Sequence, residues 1–229
     1  MTEIRPVVAF EDVSLLSESH GKGELRDMSL VLMPGDMALV QVEPGNEHLP
    51  LADAAEGLLT PDHGVVRFQG SAWEALKPDD QLAARGRIGR VFLGSGWVSN
   101  LTVLENVTLS QRHHTVRPEA EIEEEAQSLA RQFGLSEVPQ GRPALGLRRD
   151  LKRAEWVRAF LGVPVMLILE DPLQGVAVEH EPALMRSLIA ARARGAAVLW
   201  IADERPEWTD RSLKPPRAFR MAGAQLVPV

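Results

Sequence analysis

Two uninterrupted apolar runs constrain the fold of this chain more than any other feature. Residues 165–169 and 197–201 contain no polar side chain. Runs of this kind are typical of central parallel strands that helices cover on both faces. Residues 182–193 lie between them and have the length and pattern of a crossover helix. The chain is therefore predicted to be an α/β protein with a parallel sheet.

Shorter patterns predict the remaining elements. Residues 7–15 favour an edge strand and residues 25–32 its hairpin partner, because polar and apolar side chains alternate there. Further strands are predicted at 38–42, 64–70 and 87–93, and a closing hairpin around Ala222-Gly223. Helical patterns follow at 51–59, from 101–107 onward, at 118–133 and at 149–161.

Composition excludes several classes of protein. The chain has 229 residues, no cysteine and a formal net charge of −7. Disulfides and thiolate metal sites are thus impossible, and broad binding to nucleic acid is disfavoured because it depends on basic surfaces. No apolar run approaches the ~20 residues of a membrane span, and the first residues lack the pattern of a signal peptide. A cytoplasmic location is expected.

The segment between the strand at 38–42 and the helix at 51–59 occupies the place of a phosphate-binding loop. Such a loop reads G-x-x-x-x-G-K-[ST], with a lysine at the phosphates and a hydroxyl on magnesium. Here His48 stands at the lysine position, Leu49 at the hydroxyl position and Glu47 at the second glycine. An unorthodox anion site and an ordinary strand-to-helix turn are both open interpretations. The residues of this degenerate loop are Gly45, Asn46, Glu47, His48, Leu49 and Pro50.

In their order and spacing, the pieces of this chain resemble the ATP-binding subunit of an ABC transporter over nearly the whole length. The matching segments are Pro34-Gly35-Asp36, Gly57-Leu58-Leu59-Thr60-Pro61-Asp62-His63-Gly64, Asn100-Leu101-Thr102-Val103-Leu104-Glu105-Asn106-Val107, Arg158-Ala159-Phe160 and Leu167-Ile168-Leu169-Glu170-Asp171-Pro172. The resemblance implies one P-loop NTPase-like (RecA-like) fold over 1–229, with an antiparallel β-subdomain and an α-helical subdomain at about 94–160. In that family, two subunits sandwich ATP and magnesium.

A narrower similarity rests on Gln111-Arg112-His113-His114-Thr115. This segment is similar to one in the ATPases of Mla/Mce-type lipid transporters. It implies lipid as a possible class of cargo.

The resemblance also assigns positions to the chemistry of ATP hydrolysis, and several carry the wrong residue. Glu170 and Asp171 stand where the family has Asp then Glu, so the magnesium acid and the water-orienting acid are exchanged. Leu93 replaces a glutamine, and Asp203 replaces a histidine that contacts the γ-phosphate. We expect no catalytic residue and no metal site, because misplacements of ~1 Å can cost ~100-fold in rate.

The family's signature motif, L-S-G-G-Q, aligns with residues that differ in size and charge. Leu147, Arg148 and Arg149 occupy the positions of the small residues, and Arg153 matches a downstream arginine. Arg148 and Arg149 would suit phosphate as charged partners. A solvated start of a helix is the interpretation that these residues favour.

A surface for a membrane partner is implied just after Leu93. In the family this stretch contacts the permease, and here it contains Gly96, Trp97 and Val98. Aromatic residues are enriched in interface hot spots, which makes Trp97 the candidate anchor. The alternative is a tryptophan packed between parts of the same chain.

Together these positions predict a pseudo-ATPase, a structural or regulatory subunit of a membrane transport complex without a cofactor of its own. The expected partners are an integral membrane permease and a second ATP-binding subunit, either a normal homologue or a second copy. No nucleic acid is expected, and the chain would lie on the inner face of the cell membrane. Two alternatives remain open at this level: a divergent active ATPase, and a soluble regulatory or assembly factor.

Overall fold

A computed structural model describes residues 4–16, 23–43, 49–94, 96–203 and 214–229. The strands are β1 (Val8–Leu15), β2 (Leu25–Leu32), β3 (Met37–Gln41), β4 (His63–Phe68), β5 (Ser71–Ala72), β6 (Ile88–Val91), β7 (Met166–Glu170), β8 (Ala197–Ala202), β9 (Arg217–Ala222) and β10 (Gln225–Pro228). The α-helices are α1 (Leu51–Ala55), α2 (Pro78–Arg85), α3 (Val103–His114), α4 (Glu119–Gln132), α5 (Arg148–Phe160) and α6 (Glu181–Ala193).

The larger sheet is parallel apart from one edge. Its strand order is β10-β9-β3-β8-β7-β6. Strands β9, β3, β8, β7 and β6 pair in parallel, and β10 pairs antiparallel with β9 as the predicted closing hairpin. The carboxyl ends of the parallel strands therefore meet at one edge, which is where open α/β sheets bind ligands. The predicted α/β class is confirmed.

The smaller sheet is antiparallel and has the order β2-β1-β4-β5. The prediction that the first strand lies at an edge is wrong. β1 pairs with β2 on one side and with β4 on the other. β1 and β2 form the hairpin that the alternating pattern predicted. The pattern does not indicate, however, that β4 pairs with the other side of β1.

Two apolar cores lie on opposite faces of the parallel sheet. Alternate residues of β7 point to different faces: Leu167 and Leu169 join helices α3 to α6, whereas Met166 and Ile168 face α1 and the antiparallel sheet. This alternation is the period-2 geometry of a strand. The continuous apolar run in the sequence is therefore explained by burial on both sides.

Helix α1 is shorter than the pattern at 51–59 predicts. It ends at Ala55, and the chain then turns through Gly57 with a φ of +64°. A side chain at Gly57 would place its Cβ 2.3 Å from Cδ2 of Trp73, so only glycine fits. The turn thus follows from a contact with a residue that is distant in sequence.

Helix α2 was not predicted, because none of its residues is buried and it lacks an apolar stripe. The other predicted helices and strands are present, with ends shifted by a few residues. In the described part of the chain, no helix is both long and apolar enough to cross a membrane.

Candidate functional site

The carboxyl end of β7 carries the two exchanged acids. Glu170 is the last residue of the strand and is 6 % exposed. Asp171 follows with a φ of +40°, in the left-handed region that non-glycine residues rarely adopt. The Asp171 N–H donates to the carbonyl of Ile201 at 2.9 Å, so the turn is anchored to β8.

A buried arginine contacts Glu170. Arg90, on neighbouring β6, donates from Nε to Oε2 of Glu170 at 2.8 Å. Its Nη1 donates to Oδ1 of Asp53 at 2.7 Å and to Oε2 of Glu56 at 2.6 Å. Asp53 lies in α1 and Glu56 caps its end, so one guanidinium connects α1, β6 and β7. We call Arg90, Asp53, Glu56 and Glu170 the Arg90 cluster.

Charge within the Arg90 cluster is unbalanced, with one cation among three acids. Burial lowers the pKa of Arg90, but the nearby carboxylates of Glu56 and Glu170 outweigh this and raise it above its usual value. Burial raises the pKa of Glu56, although Arg90 acts in the opposite direction. Removal of the one cation from such a site leaves buried charge without a partner, which is strongly destabilising.

Leu93 and Asp203 lie at the same edge of the sheet as Glu170. The Leu93 N–H is 3.4 Å from Oε2 of Glu170, and its apolar side chain can accept no hydrogen bond. Asp203 is exposed just after β8, and its backbone carbonyl accepts a bond from Nε2 of Gln41 at 3.0 Å. Both contacts are made by backbone groups of the two residues.

Most of the loop that aligns with a phosphate-binding loop lies outside the described residues, namely Gly45, Asn46, Glu47 and His48. Leu49 and Pro50 are described and buried, and they lead directly into α1. The Leu49 side chain has no hydroxyl for a metal. Proline at the start of a helix removes a donor that would otherwise be available to an anion.

The residues that align with the signature motif form the start of α5. Leu147 is its N-cap residue and is 58 % exposed, and Arg148 and Arg149 are exposed as well. Arg153, one turn further, is buried and donates to Asp150 at 2.6 Å and to the carbonyl of Gly134 at 2.6 Å. Arg153 therefore supports the local structure.

The stretch after Leu93 is held by α5 and α3. Arg158 donates from Nη1 to the carbonyl of Gly96 at 2.8 Å, and its guanidinium lies 4.7 Å from the ring centroid of Trp97. Asn106 fixes the backbone of Val98 through bonds of 2.8 and 3.0 Å to its N–H and carbonyl. Trp97 is partly buried against the core, whereas Val98 remains 43 % exposed.

A second buried ion pair in α5 was also missed by the sequence reasoning. Lys152 donates to Oε2 of Glu155 at 3.0 Å and lies 3.4 Å from the Phe92 carbonyl. Burial raises the pKa of Glu155 to about 7, more than Lys152 lowers it. With Trp97 and Arg148, the pair lines a cleft of about 500 Å³.

Arg90 could have been identified from the sequence by a particular signal. It is a charged residue inside a strand whose neighbours are apolar, and Asp53 and Glu56 are spaced three apart on a helix. Such spacing places both acids on one helical face. No sequence pattern, however, shows that this face meets β6.

The described residues do not fit a magnesium ion in the present arrangement. The carboxylate of Glu170, which aligns with the magnesium acid, accepts a hydrogen bond from Nε of Arg90 and forms an ion pair with it. Among the residues of the described ranges, no three His, Asp or Glu side chains are placed to hold a metal ion. A divalent cation at this edge would have to compete with the guanidinium for the same carboxylate.

Solved structures share this fold. An ATP-binding subunit of an ABC transporter superposes with a TM-score of 0.79 at 20 % identity, covering 96 % of this chain and 88 % of the other. The ATP-binding cassette MJ0796, in a dimeric post-hydrolysis state bound to ADP and Pi, gives 0.80 at 17 % identity and covers 96 % of both chains. No family model matches the sequence.

Curated relatives are more informative about the family. The lipoprotein-releasing system ATP-binding protein LolD of Maricaulis maris is 30 % identical over 181 residues, which cover 76 % of this chain and 77 % of LolD. The ribose import ATP-binding protein RbsA 2 of Streptomyces avermitilis is 29 % identical over 203 residues, or 86 % of this chain but only 39 % of RbsA 2.

These relatives correct one expectation. The prediction that no cofactor takes part is wrong, because the relatives are ATP-binding proteins by name and the MJ0796 cassette was bound to ADP and Pi. The resemblance to the transporter subunits is confirmed by the curated relatives, and the solved structures confirm the fold. The chain belongs to the family of ABC transporter ATP-binding subunits.

Proposed function

We propose that this chain is an ATP-binding subunit of an ABC transporter that has lost hydrolysis and acts as a structural or regulatory pseudo-ATPase. The nucleotide that this chain binds is proposed to be ATP, because its relatives are ATP-binding proteins by name. The observation that carries the proposal is the ion pair of Glu170 with Arg90 at the carboxyl end of β7.

The argument rests on what phosphoryl transfer requires. The reaction depends almost entirely on positioning and on electrostatic stabilisation by fixed groups. In this chain Glu170 is bound to a protein cation, Leu93 cannot orient water, and Leu49 offers no hydroxyl. Each loss alone would weaken turnover, and together they remove most of the groups that act on the reacting phosphate.

Single-turnover measurements test the loss of hydrolysis. Radiolabelled ATP is incubated with an excess of the purified chain and Mg²⁺, and both bound nucleotide and released phosphate are followed. We expect no release above the protein-free blank. Phosphate release at a rate near the median enzyme turnover of about 10 s⁻¹ would contradict the proposal and support the divergent active ATPase.

The partners follow from the role as a transporter subunit. We expect a permease to contact Gly96, Trp97 and Val98, with the chain on the inner face of the membrane beside a second ATP-binding subunit. Support comes from the exposed Val98 side chain and from the hydrogen bonds that Asn106 of α3 and Arg158 of α5 make to the backbone there. A dimer with a normal homologue would share two nucleotide sites. One site would contain the phosphate loop of this chain and the other its signature motif, so both would be impaired.

Isolation of the native complex tests these partners. A chain tagged at its genomic locus is purified in mild detergent, and the proteins that accompany it are identified by mass spectrometry. An integral membrane protein in stoichiometric amount is expected. A complex that contains only proteins without membrane spans would contradict this role and favour a soluble assembly factor.

For the cargo, we propose a lipid or lipid-linked molecule. Support comes from the segment 111–115 and from LolD, whose name describes a lipoprotein-releasing system. In the structure Gln111 and Arg112 also serve the fold, since Gln111 is buried beside Gly162 and Arg112 pairs with Glu123 at 3.0 Å. Lipid extraction of the isolated complex tests this assignment: a bound lipid supports it, and a bound sugar or metal complex contradicts it.

A further inference from the structure

Arg90 has no counterpart in the chemistry assigned to this site, yet it makes the shortest ionic contacts around Glu170. All of its described contacts go to carboxylates or to an aromatic ring: three acids, and the ring of Phe92 with the centroid 4.5 Å away. An arginine keeps its charge in proteins, so its side chain acts here as a permanent internal cation.

The position of this cation decides what Glu170 can bind. Oε2 of Glu170 is engaged by Nε of Arg90 at 2.8 Å and approached by the Leu93 N–H at 3.4 Å. A divalent ion at that oxygen would stand beside the guanidinium in a poorly solvated place, where like charges repel strongly. The ion and the arginine therefore compete for one carboxylate.

Further contacts hold Arg90 in place, so the competition for Glu170 favours the arginine over a divalent ion. Its Nη1 also holds Asp53 and Glu56, so the guanidinium cannot swing away from Glu170 without giving up contacts to α1. Its side chain is 8 % exposed, and water offers little replacement for those contacts.

We propose that Arg90 is a specificity-determining residue that excludes divalent cations from Glu170, so that nucleotide binds to this chain with little dependence on Mg²⁺. The inference rests on the family membership, which aligns Glu170 with the magnesium acid, and it holds whether or not the chain hydrolyses ATP. In this arrangement Glu170, at the end of β7, serves as the partner of Arg90 and not as the ligand of a metal ion.

The test compares matched variants with Mn²⁺ and ADP as probes. Asp53→Asn with Glu56→Gln forms the control background, which keeps the Arg90–Glu170 pair but lowers the buried negative charge. Arg90→Met is then added, and bound Mn²⁺ is measured from the electron paramagnetic resonance signal of the free ion. Circular dichroism verifies that each variant is folded.

We expect the background to bind Mn²⁺ with ADP as weakly as the unmodified chain, and the added Arg90→Met to strengthen binding by about tenfold or more. A further Glu170→Gln should abolish the gain. No gain in a folded Arg90→Met variant overturns the proposal, as does a gain that survives Glu170→Gln.

A measurement on the unmodified chain decides the matter if the variant does not fold. In ¹⁵N-arginine spectra, the Hε proton of Arg90 should exchange slowly with solvent because Glu170 accepts its bond. The slow exchange should persist when Mg²⁺ and ADP are added in large excess, and its loss at stoichiometric Mg²⁺ would refute the proposal. Neither readout depends on phosphate release, so a failure here is distinct from a failure of the proposed function.

Discussion

At the level of single residues, Glu155 shows how burial opposes ion pairing. Its carboxylate accepts a bond from Lys152, which favours the charged form, and Arg158 adds a weaker attraction. Desolvation nevertheless dominates and raises the pKa of Glu155 to about 7, from 4.5 for an exposed glutamate. The folded chain thus binds a proton at pH values where the unfolded chain has released it.

This shift predicts a pH dependence of stability. Between pH 4.5 and about 7 the native state holds more protons at Glu155 than the unfolded state, so its contribution falls as the pH rises, by at most about 1.4 kcal/mol per pH unit. In Glu155→Gln this decline should be absent. Urea unfolding between pH 5 and 8 measures it, and the free energies of unmodified chain and variant should diverge progressively.

The control for that measurement is Glu121→Gln, at an exposed position of α4. Its curve should run parallel to that of the unmodified chain. A Glu155→Gln curve that is also parallel would show that Lys152 offsets the desolvation of Glu155. The overall level of stability is a separate matter, because the substitution leaves Lys152 without its charged partner.

The residues of the site also mark how far sequence reasoning reaches. The positions of Glu170, Asp171 and Leu93 could be assigned because the segments around them resemble those of ABC transporter ATP-binding subunits. The partner of Glu170 could not, because Arg90 and Glu170 lie 80 residues apart and meet only through the pairing of β6 with β7. Contacts of this kind depend on tertiary structure, and the local periodicity of apolar residues in the sequence does not encode them.

At the level of elements, the start of α3 is defined by side chains that the sequence displays. Thr102 accepts a bond from the Glu105 N–H at 3.2 Å, and the Glu105 carboxylate accepts one from the Thr102 N–H at 2.7 Å. This reciprocal pair is a capping box, and its bonds lower the pKa of Glu105.

Thr102→Ala should therefore lower the free energy of unfolding by about 1 kcal/mol, since one donor of the first turn loses its acceptor. Glu105→Gln is the comparison, because glutamine preserves the reciprocal bond and should cost less. Both are measured by urea unfolding at pH 7. Equal losses for the two variants would mean that charge at the helix start, and not the threonine cap, determines the stability.

The contact between β6 and α5 depends on a glycine. A Cβ added at Gly89 would lie 1.8 Å from the Ala159 carbonyl oxygen, so the strand and helix backbones touch directly. Gly89→Ala should force α5 away from the sheet and destabilise the chain by about 1–3 kcal/mol. Gly141→Ala is the matched control, with its nearest contact at 4.0 Å. Thermal unfolding of both variants tests this, and equal melting temperatures would contradict the close approach.

At the level of the whole molecule, apolar patterning predicted the fold class more successfully than it predicted the order of the strands. The runs at β7 and β8 identified the parallel sheet because burial on both faces leaves no polar position. The second neighbour of β1 was not predictable, because pairing with β4 is set by the path of the chain between them. The helix α2 was missed since none of its side chains is fully buried.

The distribution of the two cores predicts how the molecule unfolds. Strands β3, β7 and β8 contribute side chains to both cores, and helices α3 to α6 share one of them. Loss of the helical layer would expose Leu167 and Val198 of the central sheet and weaken the second core through the same strands. The region at 94–160 should accordingly not unfold before the rest, although the resemblance sets it apart as a subdomain.

We therefore expect one cooperative transition in urea. Tryptophan fluorescence reports on both cores, because Trp156 and Trp200 lie in one and Trp73 in the other. The fluorescence and far-ultraviolet circular dichroism curves should coincide. Trp73→Phe removes the tryptophan of one core, and the double variant Trp156→Phe/Trp200→Phe removes the two buried tryptophans of the other. Each variant, examined separately, should give the same midpoint by both probes. A helical signal lost before the tryptophan signal would instead show that the helical layer is a separate folding unit.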